Sequence, residues 1–201
     1  MLTFIIFCFT MNKIIFGSGI MKILLIVIAV IVIYAIYAYN SLVSLKNKVD
    51  NGWHQIETQL QRRYDLIPNL VETVKGYAKH ERELFEKVTE ARANSISAQS
   101  AAEKANAENN VTSALKSIFA VAENYPDLKA NQNYRELQVE LTNTENKVSF
   151  ARQFYNDSVT AFNTAIDVFP KNIIAGILNF KKRDYFEVEE PEARKAPKVQ
   201  F

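Results

Sequence analysis

Charged and amide side chains that could meet inside a helical protein are the natural starting point: Arg62, Arg63, Asp65, Glu72, Glu81, Glu145, Asn146, Arg152 and Asn156. Glu145 and Arg152 are seven residues apart, so on a helix they fall along one stripe. Glu81 lies within the seam expected for a helix beginning near residue 68. If the two helices touch, Glu81 meets Arg152 as an ion pair that sets their register. The same set could instead form a ligand or peptide site, because polar groups inside a bundle are costly unless paired. Catalytic constellations are missing. His54 and His80 are the only histidines. His80-Glu81 opens a zinc-protease pattern, but Leu84 stands where the second histidine belongs. A carboxylate-bridged di-iron site needs Glu three residues before each His, and Asn51 and Tyr77 occupy those positions. Neither a nucleophile elbow nor a phosphate-cradling glycine loop occurs. The expectation is a protein that is not an enzyme, with no catalytic, metal or cofactor site.

Composition agrees with a helical, non-nucleic-acid-binding chain. Only 5 Gly and 5 Pro in 201 residues leave little material for turns between strands. The 24 basic and 22 acidic residues nearly cancel, so no strong field would gather DNA or RNA. Cys8 is the single cysteine, which excludes an internal disulfide.

Residues 23–39 hold no charge and are mostly Ile, Val and Leu. As a helix they span about 26 Å, close to a bilayer core of about 30 Å. Lys22 stands at one end and Tyr34, Tyr37 and Tyr39 at the other, where an aromatic belt would sit. No small-residue cleavage pattern follows, so the segment reads as an uncleaved signal-anchor. Residues 1–22 form an N-terminal extension, for which Met21 is the expected true start; the competing reading is a second short apolar segment. Lys22 on one flank against Lys46 and Lys48 on the other gives no orientation by charge.

From Ser41 the apolar positions Leu42, Leu45, Val49, Gly52/Trp53, Ile56 and Leu60 recur at helical spacing, and no proline separates them from the anchor. A rigid helical stalk is expected. A turn at residues 64–67 would end this helix, with Pro68 in the first turn of helix two, because proline inside a helix costs roughly 3 kcal/mol. Helix two is expected over 68–93, a frayed and mobile connection over 94–110, and helix three over 108–124. Helix four, over 131–168, carries a heptad seam through Tyr134, Leu137, Leu141, Thr144, Val148, Ala151, Tyr155, Ser158, Phe162, Ala165 and Phe169. The fold expected is all-α: an antiparallel up-down four-helix bundle over residues 40–179, preceded by a single transmembrane helix. An intermolecular coiled coil through helix four is the runner-up, with a homo-oligomer as its consequence. Residues 180–201 form a charged, Pro-containing tail expected to lie extended along the bundle. Tyr185, Phe186, Val199 and Phe201 are its candidate partner-binding residues, the last two as a terminus that could add as a strand to a groove reading a free carboxylate.

The stretches YNSLVSLKNKV, QLQRRYDLIPNLVETVKGYAKHE, AVAENYPDLKAN, ELTNTENKVSFARQFYNDSV and YFEVEEPEARKAPKVQF, in this order behind an N-terminal anchor, strongly resemble the bacterial LemA family from about residue 21 to 201. Gly52 stands where relatives more often have alanine, a departure expected to loosen the stalk locally. The resemblance implies an antiparallel four-helix bundle on one inner-membrane helix, with the short N-terminus outside and the bundle cytoplasmic. It carries no enzymatic activity. The expected role is therefore a scaffold or adaptor touching the lipid bilayer and other envelope proteins; the alternative is a ligand- or peptide-binding sensor using the polar groups between helices two and four.

Overall fold

The computed structural model describes residues 2–187, with side chains from residue 21 onward. Every regular element among them is α-helical: α1 (Leu2–Lys75), α2 (Arg82–Ser97), α3 (Ala101–Ala122), α4 (Pro126–Ala130), α5 (Gln132–Asp167) and α6 (Lys171–Ile177). Two compact units are built from these. One comprises the chain up to Ser44 with Ala165–Lys181; the other comprises Leu45–Thr164 with the chain from Lys182.

The expected turn at residues 64–67 is not there. α1 runs unbroken through Pro68 to Lys75, and the break lies between Gly76 and Glu81, with the Tyr77 and Ala78 amides closing on Val74 O at 3.0 and 2.9 Å. An internal proline deprives the carbonyl four residues earlier of its N–H donor. Here that carbonyl belongs to Tyr64, and the Arg92 side chain from α2 supplies the missing bond, Nε donating at 2.8 Å. The proline ring faces solvent. A donor from another helix thus offsets much of the penalty that made a turn the natural expectation.

Helix two consequently begins at Arg82 rather than 68, and Glu81 is its N-cap residue. The connection expected to be frayed is mostly helix. α2 continues to Ser97, and α3 starts at Ala101 behind a capping box: Ser100 Oγ accepts from Glu103 N at 3.1 Å while Glu103 Oε2 accepts from Ser100 N at 3.2 Å. Backbone donors from Ser100 and Gln99 hold the Glu103 carboxyl below its usual range. Pro126 occupies the first turn of α4, and Asn131 Oδ1 accepts from Tyr134 N at 3.0 Å at the start of α5.

In the larger unit four long helical segments and α4 line one core. α1 contributes Ile67, Leu70 and Val74; α2 Phe85 and Val88; α3 Val111, Leu115 and Ile118; α4 Leu128; α5 Tyr134 and Leu141. The heptad seam of α5 is inward as expected from Tyr134 to Ala165, Leu137 being half-buried; Phe169 lies beyond the helix and is 74% exposed. Gly52 does the opposite of loosening. A Cβ there would lie 3.1 Å from Tyr155 Cα and 3.3 Å from the Phe154 ring, so the missing side chain lets α1 and α5 approach closely.

In the smaller unit, α1 contains one stretch from Met21 long and apolar enough to cross a membrane, and its side chains from Ile23 to Ile33 lie open. Ala38, Leu42 and Ala175 are fully buried. α6 ends where Asn179 takes φ +55°, with Phe180 N bonded to Ala175 O at 2.9 Å and Asn179 N to Gly176 O at 3.2 Å. This is the paired closure that stops helices at a left-handed residue, usually Gly but tolerated by Asn.

Candidate functional site

The strongest polar constellation sits inside the larger unit, where α1, α2, α3 and α5 each contribute a group. Arg63 occupies an inward position of the α1 stripe between Leu60 and Ile67, and Glu108 an inward position of α3 between Ala105 and Val111; each is only 2% exposed. Arg63 Nη1 donates to Glu108 Oε2 at 3.1 Å. Its Nη2 donates to Thr112 Oγ1 at 2.6 Å and pairs with Glu145 Oε2 at 2.9 Å. The other Glu108 oxygen accepts from both Tyr64 OH and Ser95 Oγ, and these two hydroxyls lie 2.8 Å from each other. Thr112 Oγ1 also donates to Glu145 Oε1 at 3.3 Å. Burial, then the hydrogen bond to Glu108, pushes the Tyr64 phenol well above its ordinary range, so it stays a donor.

The arrangement joins hydroxyls and carboxylates around a guanidinium, with no imidazole to pass a proton between them. Arg63, Ser95 and Glu108 are buried, and each carboxylate oxygen, guanidinium arm and hydroxyl named above is taken by another member. Apart from Glu145, which is 42% exposed, these groups offer a reacting atom little access, whereas a buried network of this kind fixes which helix faces meet. Beside it, Arg63, Thr112, Glu145 and Asn146 line a hollow of about 160 Å³. Ligand sites usually measure about 300–1,000 Å³. Among the described residues no group of three His, Cys, Asp or Glu side chains is placed to hold a metal ion.

Of the sequence-predicted set, Arg63 and Glu145 belong to the network. Arg152 borders it: burial lowers its guanidinium pKa, with Glu145 and Glu108 opposing. The Glu81–Arg152 pair does not form. Glu81 moved to the N-cap of α2 when α1 ran on past Pro68, and Arg152 instead lies over the Phe186 ring at 4.9 Å. Arg62 pairs with Glu140 across α1 and α5. Asp65 accepts from Gln61 at 2.8 Å and Glu72 from Lys75 at 2.8 Å, both on exposed helix surface. Asn146 reaches only the hollow. Tyr64, Ser95, Glu108 and Thr112 were missed by sequence reasoning, although a carboxylate at 108 inside an apolar stripe is a readable signal once α3 is extended back to its capping box.

Asn156 belongs to a second arrangement. The segment 182–187 runs along α5 and is read by two side-chain amides one heptad apart. Asn156 Oδ1 accepts from Phe186 N at 2.8 Å and its Nδ2 donates to Phe186 O at 3.2 Å. Asn163 does the same for Arg183, both bonds at 2.9 Å. Seven helical residues rise about 10.5 Å, and three extended residues cover about 10 Å, so the two spacings match. Tyr155 OH donates to Asp184 O at 2.9 Å, Arg183 pairs with Asp50 at 3.0 Å, and Phe186 is fully buried between Trp53 and Arg152. Phe186 is therefore not free to bind a partner, contrary to the expectation from sequence; it anchors the strap. Tyr185 is partly exposed and its hydroxyl meets Thr160 Oγ1 at 3.3 Å. Val199 and Phe201 lie outside the described residues.

These features define a class: a protein helical throughout its described regular elements, with an apolar segment long enough to cross a membrane and a buried ionic network. The chain belongs to the LemA family, whose model matches residues 52–201. It is similar to Magnetosome protein MamQ 2 of Paramagnetospirillum magneticum, 26% identical over 179 residues covering 76% of this chain and 65% of that protein. Magnetosome protein MamQ of Magnetospirillum gryphiswaldense is 25% identical with the same shares. Protein LemA of Metamycoplasma hominis is 27% identical over 157 residues, covering 76% of this chain and 70% of that protein. The chain thus spans less than two thirds of the length of the MamQ proteins. None of these names specifies a reaction or a ligand.

Proposed function

We propose that the chain is a non-catalytic, membrane-anchored helical scaffold or adaptor of the bacterial cell envelope, with its larger unit on the cytoplasmic side of the inner membrane and other envelope proteins as partners. One observation carries the reading: the only described cluster where several titratable groups converge in the core satisfies itself through Arg63, Glu108, Tyr64 and Ser95, and so serves architecture. The apolar segment of α1 supports the anchor. The strap supports a role for the tail, because the Asn156 and Asn163 amides fix the place on α5 from which the chain continues.

Crosslinking in native membranes tests this, comparing the full chain with a chain ending at Glu187, which keeps the strap and removes only residues 188–201. A specific envelope protein captured by the full chain is the expected result, and its loss on truncation would assign recruitment to the tail. Capture of no specific protein by either chain refutes the adaptor reading. Labelling of an exposed cysteine introduced in the larger unit by a membrane-impermeant reagent on intact cells would refute the cytoplasmic placement.

A further inference from the structure

The smaller unit carries an apolar surface that the anchor does not account for. Ile173 and Ile177 follow at four-residue spacing on α6 and are 52 and 74% exposed, with Leu178 open just after them and Phe169, 74% exposed, two residues before the helix. Side chains spaced in this way share one face of a helix. Open apolar side chains grouped on one helix face mark a candidate interaction surface.

We propose that α6 lies in the plane of the membrane surface, its Ile173–Ile177 face inserted among lipid headgroups and upper acyl chains, as a second lipid contact beside the spanning segment. This rests on the reading that the apolar part of α1 crosses a bilayer. The start of α6 is pinned at the end of that segment: Lys171 Nζ donates to Ser41 Oγ at 2.9 Å and lies 5.9 Å from the centre of the Tyr37 ring. Tyr34, Tyr37 and Tyr39 mark the level where aromatic rings meet headgroups. α6 has 7 residues, so its axis is only about 10 Å long. A helix this short, starting beside the aromatic level, has its apolar face within reach of the lipid interface, and lying in the plane lets Ile173 and Ile177 enter it. Lys171 at its start and Lys181 after its end supply the charge that anionic headgroups attract.

The test uses the full chain with Cys8→Ser, reconstituted in vesicles of phosphatidylethanolamine and phosphatidylglycerol, and a nitroxide attached to single cysteines replacing Ile173 or Ile177. Ile31→Cys in the apolar segment and Val139→Cys on exposed α5 serve as lipid and water references. Collision rates with oxygen and with a water-soluble nickel chelate are expected to place positions 173 and 177 about 5–10 Å below the headgroup surface, with Val139 in water and Ile31 deep. Water-like values at 173 and 177 with Ile31 in lipid overturn this inference alone. Water-like values at Ile31 as well overturn the anchor itself. Shielding of 173 and 177 from both reagents would mean that protein covers the face, which also overturns the proposal. All these positions are open to solvent, so the labels displace no packed side chain.

Discussion

Replacing Arg63 by Met removes the cation around which the buried network closes. The guanidinium holds Glu108 at 3.1 Å, Thr112 at 2.6 Å and Glu145 at 2.9 Å. Hydrogen bonds to charged groups contribute about 1.5–3 kcal/mol each, but they do not all count in full. Glu145 is 42% exposed and recovers hydration once released. Glu108, 2% exposed, cannot. Stranding a buried carboxylate in this way costs about 3–5 kcal/mol, a large fraction of the roughly 5–15 kcal/mol that holds a domain together. Adding Glu108→Leu should return most of that loss, because the Tyr64 and Ser95 hydroxyls already lie 2.8 Å apart and can satisfy each other. The double variant is expected within about 2 kcal/mol of the parent. Urea unfolding of the full chain in detergent, followed by Trp53 fluorescence and by helical circular dichroism, measures both. A loss under about 1 kcal/mol for Arg63→Met, or a double variant no better than the single one, would show that the network does not behave as a closed ionic core.

The geometry sets four further outcomes. Arg92→Ala should lower stability by about 1–3 kcal/mol by leaving the Tyr64 carbonyl without a donor, and by much less in a Pro68→Ala background, where the backbone N–H returns; a double-mutant cycle with no coupling contradicts the compensation. Phe186→Ala should cost about 3 kcal/mol and speed tryptic cleavage at Lys182 and Arg183, and an unchanged cleavage rate would mean that Phe186 does not secure the strap. Tyr64 has a folded-state pKa raised by burial, so its contribution is complete below the unfolded value near 10 and is lost as pH rises through the folded value; Tyr64→Phe should therefore make the stability curve above about pH 10 shallower than the parent's, which denaturant titration between about pH 9 and 11.5 measures. Gly52→Val should destabilise by about 1–3 kcal/mol, since its methyl groups would meet α5 backbone, and a gain in melting temperature would refute the close approach.

The helical class and α5 were legible because a heptad seam with capping and stop signals describes a helix from sequence alone. The end of α1 was not. Pro68 argues locally for a helix start, and only the Arg92 side chain, far along the chain, reverses that argument. One misplaced boundary then carried Glu81 from an imagined seam to a helix cap and dissolved its pairing with Arg152. Glu108 escaped notice because the Ala-rich stretch around it offers no large apolar residues to reveal its stripe, even though Ser100 and Glu103 spell out a capping box. Arg63 was singled out, but its burial could not be known until three other helices were in place around it. The strap was anticipated as an extended run, yet its anchoring by two side-chain amides depends on a match of helical and extended rise that composition does not encode.

The bond from Arg92 to the Tyr64 carbonyl also constrains the order of assembly. The turns of α1 around Pro68 lack a full ladder of their own until α2 docks, so they consolidate with α2 as one cooperative block, and amide exchange in both should report a common opening energy. Losing the donor at position 92 while position 68 remains proline would leave the Tyr64 carbonyl without a partner for its missing helical bond. The two sites are thus coupled in this chain, where one long helix is kept whole by a residue belonging to another.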